Sequence, residues 1–239
     1  MPAISNQATL RTAIADWLNR SDLTNSQIDQ FIELGEAMIY EALRVPPLEA
    51  QQVFSVSESN SSIIIPSGYL SVISLIYRGD GTCSINPTVN TTRAACTVAG
   101  GTWLDSDKED DITYRRVDAR AFYNTKISYA YIRERGNFLL TNKDGEQKAS
   151  GEFVLKFYKT DSPIGTVVGG TEVYPYILQQ YELILYAALA FGSSFLNDAE
   201  AEARYLKLAS DKIEKLNSKA ASAELKGGDY VQGFSCNLI

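Results

Sequence analysis

Histidine is missing from all 239 residues of this chain. Its absence removes the one side chain whose unperturbed pKa lies near neutrality, and with it the commonest metal ligand. Ser–His–Asp and Cys–His mechanisms and His-ligated zinc are therefore excluded, which leaves carboxylate, lysine or tyrosine chemistry. Positive charge is also short. The 22 Lys and Arg against 29 Asp and Glu give a formal net charge of −7 and a pI near 4.8. A groove that grips nucleic acid neutralises phosphates with clustered cations. The densest groupings here, Arg115–Arg116 and Arg133 with Arg135, are each too sparse to form one. No phosphate loop, dinucleotide fingerprint or nucleophile elbow occurs. Met1 to Arg11 lacks the apolar core of a signal peptide. The uncharged, largely apolar stretch between Leu183 and Asp198 is too short to span a bilayer, so a soluble protein made in a cytoplasm and not bound to membrane is expected.

What is present is ordinary for a packed globular chain: 45% hydrophobic and 21% charged residues. Leu10, Ile14, Trp17 and Leu18 follow a helical period that Ser21–Asp22 interrupt. Thr24 precedes Gln27 by three, a capping-box spacing, and Ile28, Phe31, Ile32, Gly35, Met38, Ile39 and Leu43 then share one stripe until Pro46–Pro47 stop it. The middle of the chain reads as five to seven short strands. Runs fall at Val53–Val56, Ile63–Ile65, Val72–Tyr77, Ile112–Arg116, Ile127–Ile132, Phe138–Leu140 and Phe153–Tyr158, with a hairpin turn at Arg135-Gly136-Asn137. Helical periodicity returns in Ile177, Leu178, Tyr181, Ile184, Leu185, Ala188 and Phe191, apolar around much of the circumference. Asn197 with Glu200 then suggests a cap for a narrower stripe of Ala203, Leu206, Ala209, Ile213 and Leu216. The predicted fold class is α+β: a four-helix frame from both chain ends, an inserted antiparallel β region and an extended C-terminal tail. Its expected limits are 1–47 with 174–225 for the helical domain, 48–173 for the β region with a cysteine-containing insertion at 79–111, and 226–239 for the tail.

Three features carry possible chemistry. The run Asp105, Asp107, Glu109, Asp110, Asp111 resembles a calcium loop, but such a loop needs Gly sixth and Glu twelfth, where Asp110 and Arg116 stand. A solvated loop is the better reading. Glu33 and Glu36 lie three apart on one helix, yet a carboxylate pair is catalytic only when burial splits the two pKa values, and surface helices carry such pairs constantly. Cys83 and Cys96 bracket a turn-rich insertion that ends at Trp103, and two cysteines alone make no structural zinc site. They read as either a loop-pinning disulfide or two unpaired thiols, with Cys236 a free thiol. No catalytic, cofactor-binding or metal-ligating residue is assigned.

Most of the chain resembles the head-to-tail adaptor (head-completion, connector) proteins of short-tailed bacteriophages. The N-terminal carriers are Trp17-Leu18-Asn19-Arg20 through Leu23-Thr24, then Ile28 to Ala37 and Leu43-Arg44. The C-terminal carriers are Phe153 to Tyr158, Tyr174 to Ala190 with its Ala187–Ala188 pair, and the helix from Asp198 to Leu216. The resemblance excludes the Cys83–Trp103 insertion. It implies a non-enzymatic virion protein, assembled in the host cytoplasm into a ring, commonly of twelve copies, under the portal of the filled capsid. Such a ring extends the DNA channel, lets DNA pass without sequence-specific binding and carries nozzle, tail or fibre proteins. A ring subunit needs two different lateral faces, and Ile177, Tyr181, Ile184, Ala188 and Phe191 are the expected packing residues of one of them. The tail residues Asp229, Tyr230, Val231, Phe234, Leu238 and Ile239 are the expected portal contacts. A virion spends its life outside the cell, where a Cys83–Cys96 disulfide can persist. The alternatives are a virion-associated cell-wall or polysaccharide hydrolase, or another tail or nozzle component.

Overall fold

The computed structural model describes residues 4–78, 81–85, 96, 98–101, 103–105, 112–173 and 175–226. The fold is mixed, with helices and mainly antiparallel sheets, and the chain divides into two compact units: Met1–Leu48 with Thr160–Ile239, and Glu49–Lys159.

The first unit is built on helices. In α1 (Gln7–Leu18), Leu10, Ala13 and Ile14 are buried, and Asn6 and Thr9 exchange capping hydrogen bonds at its start. Asn19 closes it in the left-handed conformation, which explains why the helical period fails before Ser21. In α2 (Asn25–Ala42), the predicted Thr24–Gln27 capping box is formed. Buried residues recur at 28, 31, 32, 35, 36, 39 and 40, the three-and-four spacing of one helix face. Arg11 Nε and Nη2 donate to the two carboxylate oxygens of Asp29 at 2.7 Å each, a fork that fixes α1 against α2.

The apolar stretch expected as one helix is two. A single turn, α4 (Tyr176–Gln179), ends at Gln180, whose φ of −101° and ψ of 50° are non-helical, and α5 (Tyr181–Phe195) follows. A short helix, α3 (Ala119–Asn124), precedes these in the chain and belongs to the other unit. Helix α5 packs against α1, α2 and the long α6 (Ala199–Lys226), so its apolar breadth is spent on three neighbours. Where α2 meets α5, Gly35 approaches so closely that a Cβ there would stand 3.1 Å from the backbone nitrogen of Ala188 and 3.2 Å from the Cβ of Ala187. The cap of α6 is not Asn197, as the spacing suggested, but Asp198, which accepts from the Ala201 N–H at 3.0 Å. Asn197 instead takes a left-handed φ of 58° that ends the preceding helix. Asn217 of α6 accepts from the Arg44 N–H and donates to the Ala42 carbonyl, satisfying backbone groups that the end of α2 leaves open.

The second unit holds two four-stranded sheets. The first has the order β1 (Glu49–Val56), β10 (Gly151–Lys159), β3 (Tyr69–Tyr77) and β6 (Ile112–Thr113), all antiparallel. The second has the order β2 (Ser62–Ile64), β9 (Asn137–Leu140), β8 (Ala130–Glu134) and β7 (Arg115–Arg116). Here β8 and β9 form the predicted hairpin. Arg135 and Gly136, with φ of 45° and 83°, make the two left-handed positions that such a tight turn requires. One pairing departs from the expected antiparallel pattern, since β7 runs parallel to β8. The run Ile112–Arg116, read as one strand, is shared between the sheets. The Tyr114 N–H donates to Leu75 O in one, and the Arg115 N–H donates to Tyr129 O, beside the other. Tyr114 is buried at this crossing among Leu75, Phe153, Tyr131, Phe138 and Leu140, a core to which both sheets contribute. A smaller pairing in this unit is β4 (Gly81–Cys83) with β5 (Trp103–Asp105), whereas β11 (Val167–Val168) pairs with β12 (Thr171–Glu172) in the first unit.

The expected β region ran to residue 173, but the segment from Thr160 belongs with the helices. Three hydrogen bonds hold it there: Ile164 N–H to Glu36, Tyr176 N–H to Asp161, and Gln7 N–H to Glu172, each 2.9 Å.

Candidate functional site

Glu36 overturns the expectation that the Glu33–Glu36 pair is a surface feature. Glu33 is exposed, but Glu36 is only 6% exposed, because position 36 falls on the buried stripe of α2. Its Oε1 accepts the Ile164 N–H, a partial compensation for desolvation that otherwise pushes its pKa up to about 7. The neighbouring Glu33 charge pushes the same way. One turn on, the Tyr40 hydroxyl is buried without a hydrogen-bond partner among the described residues, and burial raises its pKa too. A lone buried carboxyl with a raised pKa can hold a proton near neutrality. Its bound oxygen here serves a backbone amide. No cluster of three His, Cys, Asp or Glu side chains able to hold a metal occurs among the described residues.

The residues expected at a subunit interface divide by burial. Ile177, Ile184 and Ala188 have no exposed surface and are spent on the core of their own unit. Tyr181 is 42% exposed and Phe191 is half-buried, so a lateral contact carried by this helix would rest on those two. A cluster of aromatic rings on the helices, exposed at Trp17 and Phe195 and buried at Tyr205, was not legible from the helical pattern. Trp17 of α1, 37% exposed, meets Tyr186 of α5 and Tyr205 of α6 with ring centroids 6.3 and 6.4 Å away. Tyr186 and Tyr205 stack at 6.5 Å, and the Arg204 guanidinium lies 4.9 Å from the Tyr205 ring centroid. Phe195, 52% exposed, touches Phe31 at 5.5 Å. Only the aromatic letters themselves, each on a different helix, could have signalled this grouping.

Cys96 is fully buried and disulfide-bonded. The side chains of Cys83 and Trp103 lie outside the described residues, as do Cys236 and the six expected portal contacts, Asp229, Tyr230, Val231, Phe234, Leu238 and Ile239. Most of the acidic run at 105–111 lies outside them as well. No described helix is long and apolar enough to cross a membrane.

No curated protein matches the chain. Among protein families, the one described as SU10 adaptor protein matches residues 5–229, a span that reaches into both units and takes in the Cys83–Trp103 insertion, which the resemblance leaves out. The aromatic surface, the capped helices and the two-sheet unit are thus those of a member of the SU10 adaptor protein family, a family of phage head-to-tail adaptors.

Proposed function

We propose that this adaptor assembles into a closed ring, of twelve copies, that joins the portal of a short-tailed phage to its tail and extends the DNA channel. The family match carries the reading. Exposed apolar side chains on α1, α5 and α6, namely Trp17, Phe195 and Leu208, support it, because a heterologous contact needs an apolar patch on one face to meet a different face of the next copy. The net charge of −7 suits a channel through which DNA slides without adhering. Helices α1, α2, α5 and α6 would form the frame, with the segment from Lys226 onward reaching the portal and other parts meeting nozzle, tail or fibre proteins. Native mass spectrometry of the purified chain, alone and with portal, tests the ring. Twelve-fold mass, or a dodecamer formed on the portal, is expected; a monomer that stays monomeric with portal present overturns the reading.

The adaptor reading is non-enzymatic. Glu36, whose carboxyl burial pushes up to about 7, already binds the Ile164 amide, which weighs against its serving a virion hydrolase. We also propose that the partner of Cys96 is Cys83. Only Cys83 and Cys236 are available, and Cys83 shares the insertion with Cys96. Alkylation of intact protein followed by peptide mass spectrometry should find Cys83 and Cys96 blocked and Cys236 labelled; a Cys96–Cys236 peptide would refute it.

A further inference from the structure

Arg116 and Arg133 belong to two sparse basic pairs that looked unrelated in sequence, but the sheet brings them together. Arg116 of β7 stands opposite Tyr131 of β8, and Arg133, two residues further along β8, stands opposite Phe138 of β9. Side chains two apart on a strand, and those directly opposite on neighbouring strands, share one face. On this face they border a cavity of about 210 Å³ whose other wall is the start of β3, with Tyr69 and Val72. The Arg133 guanidinium lies 5.3 Å from the centre of the Tyr69 ring. Neither Arg116 nor Arg133 makes an ion pair with a described carboxylate, whereas Arg78 of the same unit reaches Glu152 at 3.7 Å.

We propose that this cavity is a receptor for a carboxylate presented by a protein partner, an acidic side chain that enters stem first along the rings and ends between the two guanidiniums. Two guanidiniums on one small cavity repel each other until an anion lies between them, and their planar forks match a carboxylate in paired hydrogen bonds. The floor, Phe138 and Tyr131, is almost fully buried and apolar, which suits a hydrocarbon stem. Nucleic-acid backbones, in contrast, are held by many cations along open surface, and this chain is acidic overall. The volume is below the roughly 300 Å³ at which small-molecule sites usually begin, and accords with a single side chain. The inference rests on the cavity and stands whether or not the chain forms a ring.

The test uses the full chain at low ionic strength and a short blocked peptide carrying one glutamate between alanines. Calorimetric titration should show saturable binding that the same peptide with glutamine does not give. The double variant Arg116→Ala with Arg133→Ala should weaken it by about tenfold or more, as lost charge-assisted bonds do. Both arginines are exposed, so the variant should keep the parent circular dichroism spectrum and melting temperature. Binding unchanged in the double variant, equal binding of the glutamine peptide, or no saturable binding overturns the proposal. So does a short DNA duplex that binds the parent, but not the variant, when the peptide binds neither. Native mass spectrometry then identifies the source: self-association lost in the double variant assigns the carboxylate to a second copy, and self-association retained assigns it to another protein of the particle.

Discussion

Glu36 sits where the helical stripe of α2 demands an apolar residue, and its carboxyl is held by a single backbone amide, that of Ile164. Burial raises its pKa from 4.5 to about 7, which corresponds to up to about 3 kcal/mol of differential proton affinity. The sign follows from linkage. The folded chain holds this proton to higher pH than the unfolded chain, so the stability it confers is full below about 4.5 and is lost as pH rises through about 7. Glu36→Gln keeps an oxygen to accept from Ile164 and removes the ionisation. We expect the variant to match the parent near pH 4 and to be more stable by about 1–3 kcal/mol near pH 8, read as urea midpoints at both pH values. A parent midpoint that is flat between those pH values would show that Glu36 does not titrate in this range.

Among elements, the contact of α2 with α5 brings two helix backbones close together. Gly35 on one and Ala187–Ala188 on the other let the two backbones approach, and all three residues had been noted in the sequence on separate helices without any sign that they meet. Gly35→Val would place two methyl groups where the first carbon already stands 3.1–3.3 Å from α5. Overpacking of this kind costs about 1–3 kcal/mol, more than the helix propensity gained on leaving glycine. Chemical denaturation should therefore show a loss of about 2 kcal/mol. The caps teach a related lesson. Thr24–Gln27 was readable because both partners lie in one short segment, but the start of α6 was read one residue early because Asn197 and Asp198 are equally good caps in isolation. Which of them caps is decided by where α5 ends, and Asn197 is consumed there in a left-handed turn.

For the whole molecule, the adaptor role places its demands on surfaces rather than on a cleft. The segment from Lys226 contains Gly227–Gly228, then Tyr230, Val231, Phe234, Leu238 and Ile239, a pattern fit for ordering on a partner at an entropic cost. A deletion beginning at Lys226 should leave the melting temperature of the chain unchanged and abolish its capture by immobilised portal rings. Capture equal to that of the full chain would move the portal contact onto the helices. If the deletion instead unfolds the chain, the segment is part of the core and its role as a free anchor is lost.

The sequence by itself determined the local structure and the broad identity of this chain. Helical and alternating periods mark α1, α2, α6 and most strands, since one buried face imposes its period on any chain that forms it. Arg135–Gly136 marked a hairpin because left-handed φ at two successive positions admits few residues. The lack of histidine and the scarcity of cations excluded whole classes of chemistry before any fold was known. Tertiary structure decided what depends on residues far apart in the chain. It broke the apolar stretch at Gln180, split Ile112–Arg116 between two sheets at Tyr114, drew Thr160–Glu172 onto the helices and buried Glu36 beneath that segment. It also set Arg116 beside Tyr131 and Trp17 beside Tyr186 and Tyr205. Local spacing reports which face a residue occupies, but what covers that face depends on strand register and helix packing, which are fixed by contacts between distant parts of the chain.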